Sequence, residues 1–483
     1  MESGPAPTSS PTPAPVVTPA PVVWGRLQHG VFAFLACSWL LYAFPRPATV
    51  LLGTFLQAWM TVCGWCGFDL AERPWRWPGK WMGEIAKIDT GWQEVTTWTA
   101  DNLWVPFSVV HQLTGSGDTG HDFARFVIIV AVSTFVAVVW AVLGTRTVTP
   151  RFWRILHLLV RWDLAFHMLG YGLIKLYGTQ FGEMGPMRLT TEVGDLMPMT
   201  LVGTFMQANP GYEVFGGIGE TLGGLLLFHP RTALLGAVVS FGVMTNVCAL
   251  NWMCGVPVKL FSLHLLLFAL FLMAPYRQRA WAVFFGNTPS QPVRLAISDS
   301  RAGALAMTLV GVVLVGSHLY AAHVGMTAPK PWMQGREKSA LFGVWQVESM
   351  QVDGKALEAT DAARWRFLAI DVGTFAFVRA TTGQRTFLEF TLAADGKSAA
   401  VKSRSAAAAE ASTWELVEGK KTVPVRNPTP LTPADYQKPV EAERRTLQVR
   451  GTWNGKPLVL ELVEKVHLLQ TPFRLRQELP DGW

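Results

Sequence analysis

Long apolar stretches recur along most of the chain, and they restrict its fold more than any other feature of the sequence. About 20 consecutive apolar residues are enough for a helix to cross the hydrocarbon core of a bilayer. Only 16% of the residues are charged and 50% are hydrophobic, whereas soluble proteins carry roughly a quarter charged residues. The sequence therefore predicts a polytopic α-helical membrane protein. Its seven predicted transmembrane helices lie near residues 27–45, 122–144, 155–177, 210–228, 232–253, 257–275 and 303–323.

Arginines in alternate connections predict how these helices are oriented. Arg146 follows the second helix, Arg231 follows the fourth and Arg277 follows the sixth. Because positive residues favour the cytoplasmic side, these connections are predicted to be cytoplasmic, with the N-terminus inside and the C-terminus outside. The connections that are then predicted to lie outside are 46–121, 178–209 and 254–256, together with everything after residue 324.

Two segments of the predicted transmembrane domain, which spans 25–325, need a separate interpretation. Residues 51–65 are apolar enough for a further span, but an extra crossing would break the alternation of charge. We therefore interpret them as an interfacial or re-entrant helix. Basic residues at helical spacing predict that the third helix begins as an interfacial turn; they are Arg151, Arg154, His157 and Arg161.

The N-terminal end differs from this domain. Residues 1–24 are rich in Pro and Ala with a single charge, Glu2, which predicts a disordered cytoplasmic tail. The tail has no basic segment ahead of a short apolar one, so we do not interpret it as a cleavable signal peptide. The net charge of +7 arises from short basic connections between apolar stretches. This distribution is typical of membrane orientation rather than of nucleic-acid binding.

The C-terminal region, residues 335–483, has the pattern of an all-β domain. Apolar and polar residues alternate there between D-G, N-G and T-G turn signals, which predicts a meander of antiparallel strands. The length suffices for a small closed barrel or a sandwich. In the predicted topology this domain is extracytoplasmic.

Polar residues interrupt four successive helices at a similar predicted depth, and they define the candidate site: Lys175, Glu220, Asn246, Asn251, Lys259 and His264. Ionisable residues within spans usually face the interior of the bundle and mark a function. A structural alternative stays open, because lysines near a membrane surface can snorkel and asparagines can join helices. Glu220 is too short to reach either surface, so we predict that it pairs with Lys175 inside a polar cavity.

The same residues carry a resemblance to a known family. The motifs are R-x-D-L-A-F-x-M-L-x-Y-G-x-x-K, then Q-F with Gln180, then G-x-x-E-x-x-G-G-L-L-L, then N-W-x-x-x-V-P-V-K-L-F-S-x-H-L-L. Together they resemble the DoxX-like bacterial membrane proteins, in particular an enlarged variant whose outer loop has a G-S-G-D-T motif, here 115–119. More distantly the chain resembles lipase maturation factors and the membrane domain of vitamin K-dependent carboxylases. L-x-G-x-W at 341–345 resembles the opening of lipocalin-like domains.

The resemblance implies that the protein is located in the bacterial inner membrane, with the C-terminal domain on the periplasmic side. It also adds Gln180 to the predicted cavity. DoxX-like proteins have been linked to quinone or thiol redox chemistry, whereas lipase maturation factors assist the folding of secreted enzymes. Ordinary DoxX proteins have four helices and no outer β-domain, so this chain departs from them at both ends. The resemblance alone does not choose between these functions.

Cys63 and Cys66 form a C-x-x-C pair, the spacing of an exchangeable disulfide with one thiol of lowered pKa. Cys248 and Cys254 flank the outer end of the fifth predicted helix. The alternative is an inert disulfide or two buried thiols, since no thioredoxin-like pattern surrounds the pair. We interpret G-S-G-D-T as a helix N-cap at Asp118 or Thr119, and no metal-binding or hydrolase motif is found.

Two functional hypotheses follow. The favoured one is a non-redox membrane protein with a polar intramembrane cavity and an outer β-domain. It would bind a lipid or hydrophobic ligand, or assist the assembly or maturation of an envelope partner or membrane complex. The alternative is a membrane oxidoreductase that couples thiol–disulfide exchange at Cys63 and Cys66 to a quinone. Neither hypothesis involves nucleic acid.

Overall fold

The structure is a computed structural model. It describes residues 25–43, 76–102, 117–143, 150–286, 300–327, 337–404, 411–426 and 439–465. The chain divides into two compact units. The first comprises Met1–Asp163 with Phe271–Leu314, and the second comprises Leu164–Leu270 with Val315–Trp483.

The longer helices of the described residues are α1 (Arg26–Ala43), α2 (Arg76–Asn102), α3 (Gly120–Leu143), α4 (Pro150–Leu176), α6 (Pro198–Ala208), α7 (Pro210–Phe228), α8 (Ala233–Met253), α9 (Lys259–Met273) and α11 (Arg301–Thr327). Shorter helices are α5 (Pro186–Leu189) and α10 (Arg277–Trp281); 3-10 turns lie at Val193–Asp195 and Ala274–Tyr276, and a π-helical turn at Ala282–Gly286. A helix is present at each of the seven predicted places. Within the described ranges, four helical segments are long and apolar enough to cross a membrane: Gly120–Leu143, Ala233–Met253, Lys259–Tyr276 and Arg301–Thr327.

Helix α2 was not predicted: from the sequence, residues 46–121 were predicted to be an outer connection, with 51–65 interpreted as an interfacial or re-entrant helix. Residues 76–102 form a 27-residue helix, whereas 51–65 lie outside the described residues. Polar and charged residues recur along the sequence of α2 at intervals too short for a transmembrane helix, which needs about 20 consecutive apolar residues. The helix is held against the start of α3, where Thr96 Oγ1 lies 2.6 Å from His121 Nδ1. The Arg125 guanidinium lies 4.7 Å from the ring centre of Trp92.

The predicted N-cap of α3 is confirmed at Thr119. The hydroxyl of Thr119 donates to Asp122 Oδ2 at 2.6 Å, and the backbone N–H of Thr119 donates to the same oxygen at 2.9 Å. The backbone N–H of Asp122 lies 3.3 Å from the Thr119 hydroxyl. This reciprocal pattern is a capping box, which satisfies backbone donors that the first turn of a helix leaves without partners.

The C-terminal domain is a closed up-and-down barrel, one of the two predicted forms. Its strands are β1 (Gly343–Val352), β2 (Lys355–Ala356), β3 (Trp365–Ile370), β4 (Phe375–Ala380), β5 (Arg385–Leu392), β6 (Ser398–Ser403), β7 (Ser412–Arg426), β8 (Pro439–Trp453) and β9 (Lys456–Glu464). Each long strand pairs antiparallel with the next, and β9 pairs with β1 to close a ring of eight, while the two-residue β2 pairs antiparallel with the end of β1. Closure leaves no open sheet edge around the ring.

Turn chemistry and alternation in the sequence explain this barrel. Asp353-Gly354 and Asn454-Gly455 have positive φ at both positions, as tight two-residue hairpins require. Alternate residues of each strand point inward and fill the interior with apolar side chains, among them Trp345 and Trp414, both fully buried. In the L-x-G-x-W motif, Trp345 Nε1 donates to the carbonyl of Leu341 at 2.9 Å.

Candidate functional site

Lys175 and Glu220 form a buried ion pair between α4 and α7. Lys175 Nζ lies 2.6 Å from each carboxylate oxygen of Glu220, so the ammonium group donates to both. The side chain of Glu220 is 3% exposed and that of Lys175 is 12% exposed. The ion pair predicted from the sequence is therefore present, and each charge is neutralised by the other where neither is well hydrated.

Small residues bring the two helices close enough for this pair. An ideal Cβ at Gly172 would lie 2.3 Å from the Thr221 hydroxyl, and one at Gly217 would lie 2.9 Å from the Gly172 carbonyl. Two turns further along α7, a Cβ at Gly224 would lie 2.9 Å from the carbonyl of Ala165. Side chains at these glycines would force the backbones apart. The helix crossing thus depends on glycine, as is common among membrane helices.

Helix α7 is equally close to α8 on another face. An ideal Cβ at Gly223 would lie 2.7 Å from the Ser240 hydroxyl, and one at Gly236 would lie 2.7 Å from the backbone nitrogen of Leu227. Two glycine-lined faces therefore hold α7 between α4 and α8. Glu220 lies on the enclosed helix, which explains its burial.

Aromatic side chains extend the site from Lys175 towards α9. The ammonium of Lys175 lies 5.9 Å from the ring centre of Tyr171. The ring of Tyr171 lies 5.9 Å from Phe261 of α9, and the ring of His167 lies 5.1 Å from the same Phe261. Phe261 thereby joins the helix of Lys175 to the helix that carries Lys259 and His264.

The other predicted site residues differ in their surroundings. Asn251 and His264 are buried, at 7% and 8% exposure, and His264 Nδ1 lies 2.6 Å from the Leu260 carbonyl of its own helix. Lys259 is half-buried, whereas Gln180 and Asn246 are exposed. Of this set, Lys175 and Glu220 are joined directly. A shared cavity around all of them stays a prediction.

Three histidines that the sequence analysis left outside the site have defined partners. His157 is 2% exposed, with Nε2 lying 3.4 Å from the Leu272 carbonyl, so its side chain packs against another helix, and the interfacial turn stays a prediction. The ring of His318 packs 5.2 Å from Phe166. Nδ1 of His323 lies 2.6 Å from the Tyr177 hydroxyl. These contacts were missed because a helical pattern does not show which faces of two distant helices meet.

A second unpredicted feature is the attachment of the connection after α4 to the outside of the barrel. Arg379 of β4 is 4% exposed and donates to the Thr190 carbonyl. Its other guanidinium nitrogen lies 2.7 Å from Glu192 Oε1. Arg385 donates to the Thr191 hydroxyl at 2.9 Å, and Lys338 pairs with Glu183. We name this set of contacts the loop–barrel clamp.

The clamp also has an apolar part. Outward side chains of β1, β3 and β4 form a small cluster of Val344, Phe367, Ala369 and Phe377, against which Met187 and Leu189 pack. Asp371 borders the cluster, and its carboxylate accepts hydrogen bonds from the backbone N–H groups of Val372 and Met187. Burial raises the pKa of Asp371 above its ordinary value, although both hydrogen bonds act in the opposite direction. Because the connection after α4 contacts the barrel, the two lie on the same side of any membrane that α4 crosses.

The described cysteines do not test the redox hypothesis, which stays a prediction. Cys63 and Cys66 lie outside the described residues. Cys248 is buried and Cys254 is half-buried, and both are free thiols.

The chain is 35% identical over 121 residues to the uncharacterised protein YwoB of Bacillus subtilis (strain 168), covering 25% of this chain and 77% of that protein. No protein-family profile matches the chain, and no solved structure matches it.

Proposed function

We propose a binding rather than a catalytic function for this protein. The chain belongs to the family of the Bacillus subtilis protein YwoB. The protein is a membrane-embedded component that assists the assembly or maturation of an envelope partner, with the barrel as its docking domain. In this proposal the helices lie in the bacterial inner membrane and the barrel faces the periplasm. The resemblance to DoxX-like proteins and lipase maturation factors agrees with such a role.

The observation that carries this proposal is the solid interior of the barrel. Twenty buried residues from around the ring form one apolar cluster, and the fully buried Trp345, Trp414 and Leu368 are among them. Eight-stranded barrels have an interior that side chains can fill or that can hold one small ligand. Here side chains occupy it, which favours a barrel that acts through its surface over one that carries a ligand.

The clamp supports the same function. A domain that presents a surface to a partner needs a fixed orientation, and the clamp supplies one through Arg379, which is buried among carbonyl and carboxylate oxygens. Bonds to charged groups are stronger than neutral hydrogen bonds. The barrel is therefore held against the connection after α4.

The ion pair gives the helices a polar centre that stability alone does not require. Replacing a buried ion pair by apolar residues of similar volume is often neutral or stabilising. The Lys175–Glu220 pair is therefore not expected to make the folded protein more stable than two apolar side chains in its place. We assign them to the binding function, as a polar contact for a lipid headgroup or for a helix of the partner.

The test separates folding from binding. The double variant Lys175→Met/Glu220→Leu removes both charges together, so the bundle should stay folded while the binding function is lost. We expect cells that produce this variant to lose the photo-crosslinks formed from an exposed barrel position such as Val417, which is 60% exposed. Gly242→Ala is the matched control, because a Cβ there meets nothing within 4 Å.

Mass spectrometry of the purified proteins then identifies what was bound. Loss of a co-purifying envelope protein from the double variant supports the assembly role. Loss of a lipid alone shows that the pair binds lipid instead. A folded double variant with unchanged crosslinks, lipids and envelope proteins would refute the proposal.

A further inference from the structure

Arg161, in the first half of α4, is a buried cation in the first unit. Its side chain is 5% exposed, and its Nε has no hydrogen-bond partner among the described residues. The following residue, Trp162, likewise has a buried indole N–H without a partner in that part of the chain. Buried polar groups normally have partners, so an orphaned guanidinium nitrogen needs an explanation.

The neighbours of Arg161 do not supply a negative charge. Its electrostatic neighbours are Tyr276, which is 7% exposed, and His157, which is 2% exposed. Asp163 is close in sequence, but its carboxylate accepts a hydrogen bond from Trp39 Nε1 at 3.1 Å. In the residues that the structure describes, no carboxylate lies within ion-pairing distance of Arg161. Burying a guanidinium without a counter-charge is strongly unfavourable.

Tyr276 indicates where this site lies along the helices. It ends the apolar segment Lys259–Tyr276, and Arg277 follows it at the exposed surface. The amphipathic tyrosine and the arginine after it mark the level of lipid headgroups. Because Tyr276 is an electrostatic neighbour of Arg161, the guanidinium lies near that level, where phosphate groups of lipids are available.

We propose that Arg161 binds an anionic group, a phosphate of an anionic lipid headgroup or a free oxyanion of the same chemistry. The planar guanidinium matches phosphate geometry and supplies charge-assisted hydrogen bonds. His157 and Tyr276 are the polar neighbours of Arg161 at this site. This site is separate from Lys175–Glu220, and it does not depend on the function proposed for that pair.

Thermal unfolding of the purified full chain in a neutral detergent tests the site. The probes are short-chain phosphatidylglycerol, phosphatidylcholine with the same acyl chains, and inorganic phosphate. A ligand that binds only the folded state raises the melting temperature. We expect phosphatidylglycerol to raise it by several degrees more than phosphatidylcholine does, and native mass spectrometry to detect one tightly held anionic lipid.

Variants assign the effect to this residue. Arg161→Gln should abolish the response to phosphatidylglycerol, and without lipid it should be at least as stable as the wild type because it removes an uncompensated charge. Arg161→Lys keeps the charge but loses the planar, forked arrangement of N–H donors, so it should retain a reduced response. Arg277→Gln is the matched control, an exposed arginine near the same end of the helices.

The outcomes separate the two sources of phosphate. An equal response to inorganic phosphate that Arg161→Gln abolishes supports the site and assigns it to a free anion. Equal responses of the wild type and Arg161→Gln to phosphatidylglycerol would overturn the proposal. So would a lipid-free Arg161→Gln protein that is clearly less stable than the wild type, because Arg161 would then be satisfied within the protein.

Discussion

Lys175 of α4 donates to both carboxylate oxygens of Glu220 of α7, at 2.6 Å each. Geometry of this kind restricts both side chains, because one ammonium must face two oxygens at once. The glycines around the pair leave little room for the helices to adjust. The bundle is therefore sensitive to whether the two charges are removed singly or together.

Single substitutions of the pair should destabilise the protein, and the double substitution should not. Lys175→Met leaves Glu220 charged and buried, and Glu220→Leu does the same to Lys175, so each is expected to cost about 3–5 kcal/mol. Lys175→Met/Glu220→Leu removes both charges and should lie within roughly 1 kcal/mol of the wild type. Thermal unfolding in detergent measures all three variants. If the singles and the double are equally destabilised, the charges are not coupled.

Adding a methyl group at Gly217 should separate the helices and weaken the pair. A Cβ there would lie 2.9 Å from the Gly172 carbonyl and 2.9 Å from Lys175 Cβ. We expect Gly217→Ala to lower the free energy of unfolding by about 1–3 kcal/mol, the usual effect of overpacking. Gly242→Ala, with open space at its Cβ, should instead be neutral or stabilising by about 0.5–1 kcal/mol. Similar effects at both glycines would contradict the proposed role of the close contact.

The sequence was most informative where a single pattern determines the structure. Runs of apolar residues located the helices, alternation with Asp-Gly and Asn-Gly turns predicted a barrel or a sandwich, and the G-S-G-D-T segment marked a helix start at Asp118 or Thr119. The Lys175–Glu220 pair was predictable because a carboxylate deep in an apolar helix must find a partner. Each of these inferences rests on local periodicity or on a large electrostatic penalty.

The remaining features depend on contacts between distant segments. Nothing in the sequence around Thr190 indicates that its carbonyl would accept from Arg379. The helical spacing of Arg161 with its basic neighbours predicted an interfacial turn, but it did not show that packing against other helices buries the side chain. Asn246 shares the predicted depth of the site but faces outward, since depth fixes the position along a helix and not the direction around it.

Removing the guanidinium of Arg379 should open the clamp without unfolding the barrel. Arg379→Gln loses the bonds to Thr190 and Glu192, and because Glu192 is 61% exposed the expected cost is modest, about 1–3 kcal/mol. Trypsin should then cleave faster at Arg188 in the released connection. Lys420→Gln is the control, since Lys420 forms a surface pair with Glu443 away from the clamp. Unchanged cleavage in Arg379→Gln would show that the apolar contacts hold the connection alone.

Asp371 should make the stability of the second unit depend on pH. Burial raises its pKa in the folded protein, so the neutral form is favoured on folding. The ionised form therefore lowers the stability of the folded state at neutral pH. This destabilisation disappears as the pH falls through the pKa of Asp371 in the folded protein to below its pKa in the unfolded chain. Asp371→Asn keeps an acceptor oxygen and should be more stable than the wild type at pH 7. The difference should shrink in acid, as thermal unfolding across a pH series would show, and a difference that grows in acid would contradict the assigned shift.

The barrel should fold when residues 337–465 are expressed alone, because the closed ring and the apolar interior lie within that range. Without Met187 and Leu189, however, the outward cluster that contains Phe367 and Phe377 is exposed. We expect a β-type circular dichroism spectrum together with association that rises with concentration, measured by analytical ultracentrifugation.

Phe377→Ser, on the outer face, should reduce association with the fold retained. Trp345→Ala, on the inner face, should cost about 3–5 kcal/mol and unfold much of the fragment. A helical spectrum, or association that Phe377→Ser leaves unchanged, would show that the fold or the covered face has been assigned incorrectly.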